Sequence, residues 1–360
     1  MRILIASGAP RRDGHTEELA RLFAEGASAA GGDVEPVRLA ERDVRPCRGC
    51  FTCWIRADGR CAQRDDMDEL VPRYLAADAL VLATPVYFYT FSALLKAFVE
   101  RLLPTSLPFI DTSSPAGMER NARRDPDRGP KAAVLIAPGA HRDPRLVRGL
   151  VATFETICHG IAAEPAGALL RPESFVLDFE AGKPIAIRKV RAAFAAAGRE
   201  LVTEGRVSTR TEADAAAPLT RSLELFRSHA GIYWELARGR GGAFDRKALK
   251  DEAAADLRIL VPELAASLDS EAAGGLEAVI LLDVEGDPEG GFELCIERGA
   301  CTARRGRGDR RDAALALDAD ALVALIRGTL DLRAAIAGGR IRASGDRSLL
   351  ARLGRLFPRS

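Results

Sequence analysis

No run of 18 apolar residues occurs in the 360-residue chain, so a membrane-spanning helix is not expected. Neither sign of charge dominates. Lys+Arg is 52 and Asp+Glu is 51, a net charge of +1, which removes the electrostatic reason to expect nucleic acid or an acidic membrane surface as the main partner. Histidine is scarce, with four residues. Of these, His159 and His229 have no His, Asp or Glu partner at metal-ligand spacing and read as packed or surface residues. The opening Met1-Arg2-Ile3-Leu4-Ile5 lacks an apolar core followed by a cleavage signal, so a cytoplasmic rather than secreted protein is expected. There is no G-x-S-x-G, hence no support for a serine hydrolase of that kind. Internal repeats and low-complexity tails are also missing.

Apolar residues make up 47% and charged residues 29%, a balance able to bury a full-sized core. The length favours two domains, one large and one small. Over the first 205 residues strands and helices alternate. Strands are expected at Arg2–Ala6, Val34–Ala40, Ala79–Val86, Lys131–Ala137 and Glu164–Leu170. Helices are expected at Thr16–Ala30, Met67–Ala76 (with Pro72 inside), Ser92–Leu103, a stretch ending near Cys158-His159, and Ile185–Glu204. That alternation predicts α/β: a doubly wound, parallel, five-stranded sheet. Thr105–Pro130 reads as a long connection. Ala217–Leu236 reads as a further helix, and Gly239-Arg240-Gly241-Gly242 as a boundary. Beyond it a helix at Asp256–Leu268, grouped strands near 276–284, 292–296, 300–304, 313–317 and 340–344, and helices at 318–330 and 347–357 predict a smaller α+β domain with an antiparallel sheet. The expected division is 1–205, a helical extension and linker at 206–245, and 246–360.

Ser7-Gly8-Ala9-Pro10-Arg11-Arg12-Asp13-Gly14-His15-Thr16 joins the first strand to the first helix. Backbone amides in such a turn, added to a helix N-terminus, make an anion site. Gly8 and Gly14 allow close backbone approach, and Arg11, His15 and Thr16 can add donors. It is not a nucleoside-triphosphate loop, because five residues separate Gly8 from Gly14 and His15 stands where Lys is required. G-x-G-x-x-G is absent too. The plainer alternative is a tight turn that binds nothing. Thr84-Pro85-Val86-Tyr87-Phe88 ends a buried strand at the same edge of the sheet. Amides beyond Pro85 could reach the polar edge of a ring, and Tyr87, Phe88 and Tyr89 offer aromatic faces. Gly139-Ala140-His141, after the fourth strand, reaches the same end.

Four of the seven cysteines, Cys47, Cys50, Cys53 and Cys61, fall within fifteen residues. Three thiolates at spacing three can wrap a cubane that a fourth closes, much as in ferredoxin-type ligation, although the last gap is longer. Zinc sites more often use two separated pairs. Free or disulfide-capable thiols are the third option, and spacing alone leaves all three open.

These motifs, Gly8-Ala9-Pro10-Arg11…Gly14-His15-Thr16, Cys47…Cys50…Cys53…Cys61…Asp65-Asp66-Met67 and Thr84–Phe88, resemble in order and separation the flavodoxin-like NADPH-dependent FMN reductases and their iron–sulfur flavoprotein relatives, over about residues 1–205. The resemblance implies FMN at the carboxyl ends of the strands. Gly8, Ala9, Arg11, Gly14, His15 and Thr16 would hold its phosphate, and Pro85, Val86, Tyr87, Phe88 and Gly139 would lie along its ring. It further implies NAD(P)H as co-substrate, a homodimer or higher homo-oligomer, and, from the iron–sulfur relatives, a [4Fe–4S] cluster on Cys47, Cys50, Cys53 and Cys61. The family loop usually has Ser where Ala9 stands and Asn where His15 stands. Residues 253–358 look like a sterol carrier protein type lipid-binding domain. The resemblance is carried by Phe292–Gly299, Leu325–Asp331 and Ile341–Asp346 before the final Leu-rich helix.

The expected function is an NAD(P)H-dependent FMN oxidoreductase. No side chain needs to be the catalyst, because the cofactor carries the chemistry. The expected acceptor is a small molecule, and the appended domain suggests a lipid-like one. Two alternatives stand beside it: an iron–sulfur flavoprotein electron carrier, and a lipid-binding or redox-sensing module with a vestigial flavin site.

Overall fold

In the computed structural model the residues described are 1–113, 117–179, 184–242 and 244–358. Part of the expected connection (114–116), one linker residue (243) and the last two residues lie outside them. The chain divides into two compact units, residues 1–174 with 188–218, and residues 175–187 with 219–360.

The first unit is built on a parallel sheet of β1 (Arg2–Ser7), β2 (Asp33–Arg38), β3 (Ala79–Ala83), β6 (Ala132–Pro138) and β7 (Glu164–Arg171). Between them the chain also forms a two-stranded antiparallel ribbon, β4 (Ser106–Asp111) and β5 (Arg120–Arg123). The large sheet has the order β2-β1-β3-β6-β7, all neighbours parallel. With the ribbon set aside this is 2-1-3-4-5, the flavodoxin-like order, whose switch point falls between β1 and β3. β3 is buried along its whole length, as a strand covered on both faces must be. Leu4, Leu80, Leu82, Leu135 and Ala137 pack with helices α3 (Met67–Ala76), α4 (Ala93–Glu100) and α5 (Arg148–Gly160) through Leu70, Tyr74, Leu95, Phe98 and Phe154. Each such side chain contributes about 1.5–3 kcal/mol by leaving water.

Helices α1 (His15–Ala29) and α6 (Pro184–Glu204) meet backbone to backbone. A Cβ on Gly198 would overlap the Phe23 carbonyl and lie 2.8 Å from Ala27 N. One on Gly26 would overlap the Ala195 carbonyl and lie 2.8 Å from Ala195 Cα. α3 keeps Pro72 inside without ending there. The short α2 (Thr52–Ile55) and α7 (Thr209–Ala216) were not expected from periodicity, being one and two turns long. The ribbon also overturns the reading of 105–130 as a plain connection. Its exposed Phe109 and Ile110 and the internal Pro108 hide the strand alternation.

In the second unit α8 (Leu223–Gly239) begins later than expected, capped by Ser222, whose hydroxyl accepts from Leu225 N. α9 (Arg246–Ala255) and α10 (Leu257–Ala266) follow, then α11 (Ser270–Ala273). The sheet holds β8 (Ala278–Val284), β9 (Phe292–Glu297), β10 (Ala300–Arg305), β11 (Ala313–Leu317) and β12 (Arg342–Gly345), in the order β10-β9-β8-β11-β12. The expected antiparallel sheet is corrected to a mixed one, since β11 runs parallel to β8. β9 and β10 occupy one side of β8, so the chain must cross over to reach its other side. Cys295, expected on the face away from Phe292, Leu294 and Ile296, is nonetheless buried. Helices α12 (Ala319–Arg327), α13 (Leu332–Ala337) and α14 (Arg347–Leu356) complete the unit, and Leu349, Leu353 and Leu356 close its core. Among the described residues no helix is long and apolar enough to cross a membrane.

The glycine contact between α1 and α6 generates a stability prediction. Gly198→Ala should destabilise the first unit by about 1–3 kcal/mol through overpacking, read as a lower midpoint in urea unfolding. An unchanged midpoint would show that the helices separate freely.

Candidate functional site at the carboxyl end of the parallel sheet

The loops after β1, β3 and β6 are stitched together by backbone hydrogen bonds that continue the sheet past its strands. Gly8 N–H donates to Ala83 O at 2.8 Å, Thr84 N–H to Ile136 O at 2.9 Å, Val86 N–H to Pro138 O at 3.0 Å, and Gly139 N–H to Arg171 O at 2.9 Å. Ser92 ties two of them together. Its hydroxyl donates to Gly8 O at 2.8 Å and accepts from Leu95 N–H at 3.3 Å, capping α4, while its own N–H donates to Thr84 Oγ1 at 2.9 Å. A Cβ on Gly8 would overlap the Ser92 hydroxyl and sit 2.7 Å from Leu95 Cβ. The close approach expected at Gly8 is therefore made to α4 within the protein.

Gly14 is the N-cap of α1 and supplies no side-chain hydrogen bond to it. The first-turn amides of a 15-residue helix are thus not capped from their own cap residue. Glu17 and Glu18, also in that turn, are held by other groups. Ser7 Oγ donates to Glu17 at 2.5 Å, Arg38 Nε lies 3.2 Å from it, and Arg191 Nε lies 2.9 Å from Glu18. Thr16 is buried, His15 is half-buried, and Arg11 is exposed. Ala9 is buried with its N–H at 3.4 Å from Ser7 Oγ. A phosphate-sized anion fits the chemistry of this loop, with Arg11 and Thr16 flanking an amide-rich turn.

After Pro85 the chain makes a tight turn in which Tyr87 N–H donates to Thr90 O at 3.2 Å and Thr90 N–H to Tyr87 O at 3.1 Å. Phe88 and Tyr89 both have positive φ, 48° and 68°, conformations that ordinary side chains avoid. Phe88 is 96% exposed. The amides of Val86 and Tyr87, expected to face a ring, are already spent on Pro138 and Thr90. Only amides further along the turn could serve that purpose. Tyr89 stacks on His141 at 5.9 Å between centroids.

A cavity of about 540 Å³ opens here. Val86, Phe88 and Gly139 line it, together with Tyr89, His141, Leu146 and Glu173. The first loop, from Gly8 to Thr16, is not part of its wall, nor are Pro85 and Tyr87. The predicted residues therefore fall into two neighbouring groups, a loop at the end of β1 and a cavity beyond β3, β6 and β7, joined through Thr84 and Ser92.

The cysteine segment is a loop closed at its base. Arg45 N–H donates to Asp65 Oδ2 at 3.1 Å, Asp43 N–H to Asp66 Oδ2 at 3.0 Å, and Gln63 Nε2 to Pro46 O at 3.0 Å. Arg101, just after α4, clamps both ends. Nη1 meets Asp65 Oδ2 at 2.5 Å and Arg45 O at 2.8 Å, and Nη2 meets Asp65 Oδ1 at 2.9 Å. The side chains of Arg101 and Asp65 are 1% and 0% exposed. Burial alone would push the Asp65 carboxyl up. The Arg101 pair and the amides of Arg45 and Met67 outweigh it and hold the group below the ordinary carboxylate value. Cys53 is buried, Cys50 exposed, and Cys47 and Cys61 lie between. Burial pushes the Cys53 thiol up, and the neighbouring Cys61, Cys47 and Cys50 push it the same way. Among the described residues no group of three or more His, Cys, Asp or Glu side chains is disposed to hold a metal ion.

Several residues of these sites escaped the sequence reading. Asp65 stood in the sequence only as part of the Asp65-Asp66-Met67 motif, and its partner Arg101 lies 36 residues away. Arg142 and Glu173 carried no motif at all. His229, read as lacking an acidic partner in sequence, is buried with Nε2 at 3.3 Å from Glu263.

The family model of NADPH-dependent FMN reductase matches residues 1–116, and that of the SCP-2 sterol transfer family matches residues 261–358. An iron–sulfur flavoprotein from Archaeoglobus fulgidus is 38% identical over 97 residues, covering 27% of this chain and 43% of that protein. An FMN-dependent NADH:quinone oxidoreductase from Thiobacillus denitrificans is 31% identical over 150 residues, covering 39% and 68%. The chain spans about half the length of the iron–sulfur flavoproteins it matches. Among solved structures, an NAD(P)H:quinone oxidoreductase from Methanothermobacter marburgensis aligns with TM-score 0.41 at 18% identity, over 56% of this chain and 96% of that one.

The Arg101–Asp65 clamp yields a sharp expectation. Arg101→Met leaves a buried carboxylate unpaired and should cost about 3–5 kcal/mol, with Cys53 becoming reactive toward Ellman's reagent. Because the folded Asp65 pKa is depressed, its stabilisation is present above the unfolded carboxylate pKa and is lost as pH falls through the folded value. The acid-unfolding midpoint of the wild type should therefore lie below that of the variant. Wild-type thiol reactivity and stability in the variant would refute the clamp.

Proposed function

Since the chain belongs to the NADPH-dependent FMN reductase family and carries an SCP-2 sterol transfer module at residues 261–358, we propose that it is an NAD(P)H-dependent FMN oxidoreductase passing electrons to an apolar small-molecule acceptor. The observation that supports the reading is the stitched carboxyl edge of the parallel sheet, where the β1–α1 loop is joined through Thr84 and Ser92 to a cavity of about 540 Å³ whose wall includes Phe88, Tyr89 and His141. Bound there, FMN would supply hydride and electron transfer. In this proposal the amides of Ala9 and of Arg11 to Thr16, with the side chains of Arg11, His15 and Thr16, hold the phosphate. Gly8 does so indirectly, by letting the loop seat on α4. Pro85 and Val86 set the floor of the ring site, and Gly139 keeps the opposite wall free of a side chain. Tyr87, Phe88 and Tyr89 shield the ring from water. No side chain is assigned as catalyst. Residues 1–205 would form the reductase domain, 206–245 the linker and 246–360 the lipid-binding module that delivers or receives the acceptor. A homo-oligomer in the cytoplasm is the proposed working form.

One observation favours a second reading. Burial and three neighbouring thiols, Cys61, Cys47 and Cys50, push the Cys53 thiol up, in a loop closed by a buried ion pair, and several relatives are named iron–sulfur flavoproteins. On that reading Cys47, Cys50, Cys53 and Cys61 hold a [4Fe–4S] cluster and the protein is an electron carrier. The arrangement described among these residues does not itself form a metal-holding group, so thiols are the proposed state.

Anaerobic titration with NADPH, with iron and sulfide measured on the same sample, separates these readings. The account expects about one flavin per chain, bleached by NADPH, with no iron required. Flavin that NADPH leaves oxidised would contradict it, and stoichiometric iron and sulfide would favour the second reading. Thr16→Val should weaken FMN binding roughly tenfold by removing one hydrogen bond to a charged group.

A further inference from the structure

Helix α8 in the second unit has two unlike faces. His229 and Tyr233 are buried on one. On the other, at about 100° per residue, Glu224, Arg227, Gly231, Glu235 and Arg238 fall within about 40° of one line along the helix, with Trp234 at its margin. All six are exposed, and Trp234 keeps 52% of its surface in water. A groove of about 730 Å³ lies on this face, walled by residues of α8 alone, from Ala230 and Gly231 through Trp234 to Gly239. A Cβ on Gly231 would meet nothing within 4 Å. The glycine therefore makes room for no contact inside the chain, although it weakens the helix that contains it. The room opens outward, beside an exposed tryptophan.

The charges on this face mirror one another with inverted sign. Four residues to either side of Gly231 stand Arg227 and Glu235, and seven to either side stand Glu224 and Arg238. A second α8 laid antiparallel about a two-fold axis at Gly231 brings these positions to equal height. Glu224 then faces Arg238 of the second copy and Arg227 faces its Glu235, each twice by symmetry. Parallel pairing in the same register would set every charge against its own kind, so the pattern selects the antiparallel arrangement. Among the described residues Glu224, Arg227 and Arg238 have no ion-pair partner, while Glu235 meets Arg258 through Oε1 at 2.8 Å and keeps 66% of its side chain exposed. Trp234 comes to the height of Arg227 of the second copy, where a guanidinium can lie over the indole.

We propose that the exposed face of α8 is where two copies of this chain meet, antiparallel about Gly231, with the tryptophan of each copy covering the glycine groove of the other. This deepens the proposed homo-oligomer by naming a contact face, and it does not depend on what the first unit binds. A helix of 17 residues is about 25 Å long and 10 Å wide, short of the roughly 800 Å² per partner of a standard interface. The association is therefore reversible and micromolar.

Sedimentation equilibrium of the full-length protein tests it. The weight-average mass should double between about 1 and 200 μM, and less so in 1 M NaCl, where screening reaches about 3 Å. Gly231→Gln should be at least as stable in urea as the wild type, because the site is open and glycine is the poorer helix former, yet should raise the dissociation constant about tenfold or more by filling the groove. Arg238→Glu should raise it by a similar factor, about tenfold, and Glu224→Arg added to Arg238→Glu should return it to within about threefold of the wild type. A wild-type mass that stays constant across the range overturns the proposal, and so does a doubling that survives Gly231→Gln or Arg238→Glu, or a loss in Arg238→Glu that the second exchange does not recover. Flavin content and bleaching by NADPH, measured on the same samples, report on the proposed function separately.

Discussion

The hydroxyl of Ser92 joins the carbonyl of Gly8, the first turn of α4 and, through its own amide, the hydroxyl of Thr84. Two loops that would otherwise leave the sheet independently are thereby held in one geometry. The constraint is tight enough that no side chain fits at Gly8. Everything proposed for the site depends on it. The β1 loop can present its amides and the β3 loop its strained aromatic turn only because each is seated on the other through α4. Preorganisation of this kind lets backbone groups bind a charged cofactor without first being ordered.

Much of this fold could be read from residue pattern. The continuous apolar run Ala79–Ala83 is a fully buried strand, and the Leu, Phe and Ala spacing after Thr16 is a helix packed on the sheet. Cap chemistry was equally readable at Ser92, because a serine ahead of an apolar helix has a local physical role. What escaped was non-local or buried under weak patterning. The β4–β5 ribbon pairs through strands whose apolar residues point outward. The parallel contact of β8 with β11 is set by which edge remains open after β9 and β10 have paired.

The site shows the same division. The positions of Gly14, Val86, Phe88 and Gly139 at the carboxyl end follow from strand order, so motif spacing found them. The competition for their amides did not follow, because the bonds of Val86 to Pro138 and Tyr87 to Thr90 depend on loop geometry. Gly8 was singled out for a sound reason, lack of room for a Cβ, but the neighbour that fills the room is α4. Charged residues such as Arg101, Arg142 and Glu173 look like surface residues in a sequence. Only burial and pairing reveal that they brace the cysteine loop and the cavity.

The two halves of the chain then divide the labour. In the proposed function, the parallel sheet would offer its carboxyl edge to a phosphorylated, ring-bearing cofactor, and the mixed sheet would belong to a module suited to apolar molecules. The central claim is that the β1 loop grips FMN. It is tested most directly by adding flavin-free protein to FMN and following flavin fluorescence. The account predicts saturable quenching that ends at about one FMN per chain. Fluorescence unchanged by an excess of folded protein would contradict it.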